Sequence, residues 1–207
     1  MYITNIRHYI YIGTILAKLV PNLIKKIIYT PGNLDVIIDS KDLNNVLSIL
    51  KLNTIMQCKM LLDIVCIDCL NIEENKLGRF KIIYVLNSIF NNSRIHVIVY
   101  LKNNETIDSC SSLFSSAVWL EREIWDMYGI YFANHPDLRR ILTDYGFSWY
   151  PLKKDFPLTG YIEVYYDIND KKIIYKPIEL MQEFRMYEYG ISWGDHEKKT
   201  FLDKVIY

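Results

Sequence analysis

Net charge is what this chain most plainly lacks: 24 lysines and arginines stand against 24 aspartates and glutamates, leaving zero at pH 7. A chain with no charge excess is not built as a general binder of nucleic acid or of anionic membrane surfaces. Its longest apolar run, Tyr9–Val20, is interrupted by Lys18 and is too short to span a bilayer. There is no GxGxxG and no P-loop to cradle phosphates. The histidines are few and isolated. His135, before Pro136, reads as a cap or an exposed residue, and no Ser, Cys or Asp partner makes it a catalytic base. The 4 cysteines make no secreted-type framework. Cys66-Ile-Asp-Cys69 is formally a CxxC, but it lies in the strand-like run MLLDIVCIDCL. An offset of three on a strand puts the two thiols on opposite faces, and no second CxxC follows. Both cysteines are expected to fill core, and no cofactor or metal is expected on them.

Arg, Ala, Gly and Pro are scarce, whereas Ile, Asn, Lys and Tyr abound. AT-rich coding of the kind found in organelle genomes produces such a bias without a structural reason. Residues 1–34 contain no acid, as in a transit peptide, but they are rich in Ile and Tyr rather than Arg and Ser. Synthesis inside the organelle is therefore the expectation. At 207 residues the chain is long enough for one α+β domain with a real core plus an extension.

Apolar periodicity predicts a helix over Ile3–Leu19, a second short one opened by Pro21 and running to Ile28, and a turn at Pro31-Gly32. A strand over Leu34–Ile38 follows, then a helix capped by Ser40 with Leu43, Val46, Leu47 and Leu50 on its buried face. Lys59–Cys69, Phe80–Leu86 and Arg94–Leu101 read as an antiparallel meander. The expected fold class is α+β: an antiparallel or mixed sheet with helices on one face, followed by an extended irregular C-terminal segment with a hairpin. Residues 1–130 are expected to form the α+β domain and residues 131–207 the partner-binding segment. That segment comprises a short helix over Pro136–Thr143, a proline-pinned strap over residues 147–160, a hairpin of Ile162–Asp167 with Lys172–Tyr175, and a tail.

The densest concentration of charged and aromatic residues lies in Trp119–Asp167. A helix from about Ser111 to Tyr128 puts Leu113, Ala117, Leu120, Ile124 and Tyr128 on its apolar face. Glu121 falls inside that arc, where a carboxylate is costly unless paired. Arg139 and Arg140 are the nearest candidates, so one of them is expected to pair with Glu121. On the opposite side Trp119, Arg122, Glu123 and Asp126 share a charged aromatic face, with Arg122 and Asp126 at i,i+4. That face is either solvated surface or a partner contact, since an exposed Trp beside Arg is typical of interface hot spots. The basic residues Arg139, Arg140, Lys153 and Lys154 alternate with Asp137, Asp144 and Asp155, which favours ion pairing over a grip on phosphate. In the tail, Phe184, Tyr187 and Trp193 are expected to lie on a partner surface.

EREIWDMYGIYFANHPDLRRILTDYGF, followed by PLKKDFPLTGYIEVYYD and PIELMQEFR, closely resembles the 30-kDa (C-type) subunit of respiratory complex I, NADH:ubiquinone oxidoreductase. A weaker likeness runs back through SRIHVIVYL, GRFKIIYVL and MLLDIVCIDCL. The resemblance implies a cofactor-free core subunit of the peripheral arm, in the quinone-reducing module on the matrix side of the mitochondrial inner membrane. It implies that this subunit braces the large hydrogenase-like quinone-site subunit and performs no catalysis alone. A related subunit of a membrane-bound hydrogenase is the nearest alternative; a free-standing metal- or RNA-binding protein is more remote. Four positions depart from the family: Trp149-Tyr150 stand where Gly-His is usual, Tyr165 where Arg is usual, and Met181 where a small residue is usual.

Overall fold

The computed structural model describes residues 2–30, 32–70 and 77–185, with side chains described from residue 7 onward. Tyr187 and Trp193 lie outside the described residues. Helix α1 (Tyr2–Leu19) forms where Tyr9, Ile12 and Leu16 recur at helical spacing, and all three are buried. Lys18 in its last turn suits the negative end of the helix dipole.

The expected second helix is instead strand β1 (Ile24–Thr30), hairpinned to β2 (Asn33–Ile38) with Thr30 opposite Asn33. The physical reason is local. Ile24, Ile27 and Ile28 are β-branched, and Gly32 takes a φ of +93°, which a tight hairpin turn needs. After a 3-10 turn at Ser40–Asp42 comes α2 (Leu43–Leu52), whose buried residues are the expected Leu43, Val46, Leu47 and Leu50. Ser40 does not cap it. Its hydroxyl donates to Glu105 Oε1 at 2.9 Å, and α2 begins without a side-chain cap.

Strands β3 (Met60–Asp68), β4 (Phe80–Ser88) and β5 (Ser93–Leu101) form the expected antiparallel meander. The five-stranded sheet runs β1-β2-β5-β4-β3, with β2 parallel to β5 and every other pair antiparallel. Alternation puts Ile82, Tyr84 and Leu86 of β4 with Ile95, Val97 and Val99 of β5 on one face, in one core with α1, α2 and α3 (Ala117–Tyr128). The opposite face carries a row, Ile37–Ile98–Ile83–Val65, running across four strands. Beside it His96 Nδ1 and Asp35 Oδ1 are 2.9 Å apart.

All four cysteines are free and buried. Burial pushes the Cys58 thiol up to about 12, and burial likewise raises Cys66 and Cys110. Those three behave as small apolar side chains and not as nucleophiles at neutral pH.

By contact the chain divides into two compact units, Met1–Phe156 and Pro157–Tyr207. The second unit contains the expected hairpin, β8 (Ile162–Asp167) paired antiparallel with β9 (Lys172–Pro177). The first therefore includes residues 131–156. Among the described residues, no helix is long and apolar enough to cross a membrane.

Candidate interaction site

Helix α3 organises everything that follows it. It starts at Ala117 and not at Ser111, because residues 111–116 form turns, with Leu113 and Phe114 N–H both bonding the Cys110 carbonyl. It stops at Gly129, whose φ of +73° lets its N–H bond back to Trp125 O at 2.9 Å. A Cβ at that glycine would sit 2.7 Å from the Tyr150 ring, so the helix end and the strap are fitted to each other. Two short strands, β6 (Ile107–Asp108) and β7 (Phe132–Ala133), pair in parallel and bring Ser109 and His135 to the same side of α3.

There Glu121 is wholly buried, as the helical wheel required, but its partners are not arginines. Oε2 accepts from the Ser109 hydroxyl at 2.5 Å and Oε1 from the Cys110 N–H at 2.8 Å. His135 Nε2 lies 3.8 Å from Oε2. The His135 side chain is itself buried, so of the two expectations, a cap or an exposed residue, the exposed one fails. The Asp137 N–H donates to its Nδ1 at 3.1 Å, which leaves the proton on Nε2, 3.1 Å from the Val118 carbonyl. Glu121 is thus satisfied by neutral donors next to it, and both arginines are free to work elsewhere.

Asp126 takes up one of them, Arg140. The Asp126 side chain is fully buried, and Oδ2 accepts three successive backbone N–H groups: Ile141 at 3.1 Å, Leu142 at 2.7 Å and Thr143 at 3.1 Å. Oδ1 accepts from the Thr143 hydroxyl at 2.7 Å and from Arg140 Nη1 at 3.2 Å. Consecutive N–H groups converging on one oxygen make an anion nest, here filled by the protein's own carboxylate. That nest explains why Pro136–Thr143 is not the expected helix: its N–H groups turn toward Asp126. Arg140 also donates to the Trp149 carbonyl at 2.9 Å, and its guanidinium lies 5.0 Å from the Tyr150 ring centroid and 5.6 Å from that of Trp125. Arg122 is buried as well. It donates through Nε to the Arg139 carbonyl at 3.0 Å and lies 4.7 Å from the Trp119 ring centroid. Arg139 pairs with Asp137 at the surface. The expected Arg122–Asp126 pair therefore gives way to two separate anchors for the loop.

A third anchor, which sequence reading missed, holds the strap's far end. Asp68 receives Arg79 through Nε at 3.1 Å and Nη2 at 2.9 Å, and the Lys154 N–H at 2.9 Å. Arg79 reaches on to Asp155 at 2.5 Å. Between these anchors Leu152 N–H bonds Met127 O at 3.1 Å. Lys153 Nζ sits 4.7 Å from the Tyr150 ring centroid, and burial, then Arg79, pushes its ammonium pKa down.

Burial alone would raise Asp126, but the N–H groups of Leu142, Thr143 and Ile141 and the Thr143 hydroxyl outweigh it and hold the carboxyl below its ordinary 3.8. Burial likewise opposes, and Arg79 with the Lys154 and Leu70 N–H groups outweighs, at Asp68. Because both folded-state values are depressed, each carboxylate contributes stability that is fully present above about pH 4 and lost as pH falls through the folded value. Thermal midpoints taken from pH 6 down to pH 2 should fall steeply below about pH 4, and less steeply for Asp126→Asn. Parallel curves for the two proteins would show that Asp126 takes no part in the acid loss.

On the outside of this clamp Trp119 is 63% exposed, and Tyr131, Leu142, Tyr145 and Leu152 are exposed too. Glu123 and Lys154 are exposed, as is Phe184 in the second unit. Of the residues expected to meet a partner, Arg122 and Asp126 are instead committed to the interior.

Over 63% of this chain the fold is similar to that of a solved trypsin-resistant fragment of Nqo5, at a TM-score of 0.53 and 29% identity, covering 99% of that fragment. Residues 36–162 match the family described as respiratory-chain NADH dehydrogenase, 30 Kd subunit. NADH-ubiquinone oxidoreductase subunit 9 of Dictyostelium citrinum is 64% identical over 195 residues, covering 94% of this chain and 93% of that one. The protein of the same name from Reclinomonas americana is 44% identical over 185 residues, covering 89% of each. The chain belongs to the family of the 30 Kd subunit of respiratory-chain NADH dehydrogenase.

Proposed function

We propose that the chain is a non-catalytic core subunit of the peripheral arm of proton-pumping NADH:ubiquinone oxidoreductase, in its quinone-reducing module. It supports electron transfer by bracing the large hydrogenase-like subunit that forms the quinone site, and it sits on the matrix side of the mitochondrial inner membrane without spanning it. The observation that carries this reading is near-full-length identity of 64% to a subunit 9 of that oxidoreductase. The geometry agrees with it. Charged side chains that in an enzyme would face a cleft are here spent on fastening a strap to α3, which leaves Trp119, Glu123, Lys153 and Lys154 at or near the surface as bracing contacts. The family match leaves a membrane-bound hydrogenase subunit as the weaker reading.

Native electrophoresis of the organelle, with mass spectrometry of the separated bands, tests the assignment. The chain is expected in a band with the flavin-, iron–sulfur- and quinone-site subunits of the oxidoreductase. Recovery only at the mass of the free chain would refute it.

A further inference from the structure

Strand β3 is one edge of the five-stranded sheet and β1 is the other. Just past β3, the Cys69 N–H donates to the Arg79 carbonyl at 2.8 Å. In an antiparallel ladder such pairs recur at every second residue. Ile67 and Val65, opposite Lys81 and Ile83, therefore turn their N–H and C=O groups toward β4. Ile64, Cys66 and Asp68 turn theirs away from the sheet. There Asp63 Oδ1 meets the Ile64 N–H at 2.8 Å. The Ile64 carbonyl, and both backbone groups of Cys66 and Asp68, have no partner among the described residues. Ile64 and Cys66 each keep 5% exposure where their cross-strand partners Tyr84 and Ile82 have none, so this edge is open. The two edges are guarded differently. β1 carries Lys25 and Lys26 and a register break between Ile24 and Lys26, devices that deter pairing. β3 has its break at Leu61–Asp63, ahead of the open stretch, and from Ile64 to Asp68 it has no lysine or proline.

We propose that the β3 edge accepts one extended segment of a neighbouring protein as a sixth strand of the sheet. The proposal rests on the chain's assignment as a subunit of a larger assembly and names a backbone contact made by the α+β domain itself. Acceptors and donors alternating along a straight edge fit an extended polypeptide; a helix, whose own backbone is already bonded, cannot supply their complements. The site is short. At one end Ser116 Oγ donates to the Leu61 carbonyl at 3.3 Å, and at the other Asp68 holds the Lys154 N–H at 2.9 Å. A strand of roughly five residues fits between them. Two copies of this chain pairing over so short a length would bury well under the ~1,000 Å² of a stable interface, so the strand belongs to a different protein that is also held elsewhere. Its side chains follow from its neighbours. Val65 and Ile67 are exposed and end the apolar row that continues through Ile83 and Ile98, so the residues beside them are apolar. Asp63 is exposed and has no ion pair among the described residues, so the residue beside it, two positions along the same face, is basic.

Amide hydrogen exchange, resolved to single residues by fragmentation mass spectrometry, is measured on the purified full chain and on the assembled oxidoreductase. The Cys66 and Asp68 amides are expected to exchange at least tenfold more slowly in the complex than in the purified chain, whereas Val65 and Ile67, bonded to β4, are slow in both. Fast exchange at 66 and 68 in the complex would overturn the proposal and leave the functional assignment standing. Absence of the chain from the complex would overturn both. Protection of both amides already in the purified chain, by its own fold or by a dimer seen in sedimentation, would overturn the proposal as well. A photo-crosslinking residue at Ile67 and, in a second protein, at Lys26 on the guarded edge then identifies the occupant in chains that have assembled. Position 67 is expected to give an adduct to a segment of another subunit that carries apolar and basic residues two apart, and position 26 none. No adduct from 67, or adducts from 26 alone, would overturn the proposal.

Discussion

Asp126→Ala is expected to destabilise the folded chain by about 3–4 kcal/mol, measured by urea denaturation of the purified protein. The carboxylate accepts three backbone N–H groups, one hydroxyl and one guanidinium, all from residues 140–143. Truncation strands these donors together, and the loop must either leave them partly buried and unpaired or lift off α3 to reach water. Lifting also releases Arg140 from the Trp149 carbonyl, so the loss propagates along the strap. Trypsin should then cut after Arg139 and Arg140 much faster than in the wild type. Asp126→Asn keeps the shape and one acceptor oxygen, and should lose about half as much. If Asp126→Ala unfolded at the wild-type urea concentration with unchanged trypsin sensitivity, the strap would have to be held by something other than α3.

The strands and the buried side of α2 were readable because burial on one face leaves a period in the sequence. Leu43, Val46, Leu47 and Leu50 are buried as their spacing demanded, and β3, β4 and β5 lie where alternation put them. Strand β1 was lost because its outward Lys25-Lys26 broke the alternation and Pro21 suggested a helix start. The β-branched residues on both sides of Pro31-Gly32 were the signal that could have recovered it. The parallel contact of β2 with β5 joins segments some sixty residues apart, and no local pattern encodes it.

For α3, the wheel located a buried carboxylate but could not choose its partner. Charge complementarity suggested arginine, whereas the β6–β7 pairing delivers Ser109, Cys110 and His135. Asp126 was misread for a related reason. A helical wheel sees only the helix, and the loop that buries this residue comes from the next 17 positions of the chain. The same blindness hid Asp68, whose buried place at the end of β3 acquires meaning only once the Lys154 N–H donates to it and Asp155 joins it through Arg79.

Glu121→Ala is expected to cost about 3–5 kcal/mol, because it leaves the Cys110 N–H without its acceptor and opens a void in a fully buried site. Glu121→Gln is the informative companion. Its amide oxygen can still accept from Cys110, and the Ser109 hydroxyl can rotate to accept where it formerly donated, so a loss of only about 1 kcal/mol is expected. The contrast separates a buried acceptor from a buried charge. Glutamine as damaging as alanine would mean that the negative charge itself is needed and that the neutral donors Ser109 and Cys110 do not account for the site.

A double-mutant cycle settles which carboxylate Arg140 serves. Combining Arg140→Ala with Asp126→Ala should cost clearly less than the sum of the single losses, with a coupling of about 1–3 kcal/mol, since the two side chains share one network. Combining Arg140→Ala with Glu121→Ala should be additive to within about 0.5 kcal/mol. Strong coupling to Glu121 would restore the ion pair that the sequence suggested, and would require the loop after Gly129 to pack against the other side of α3.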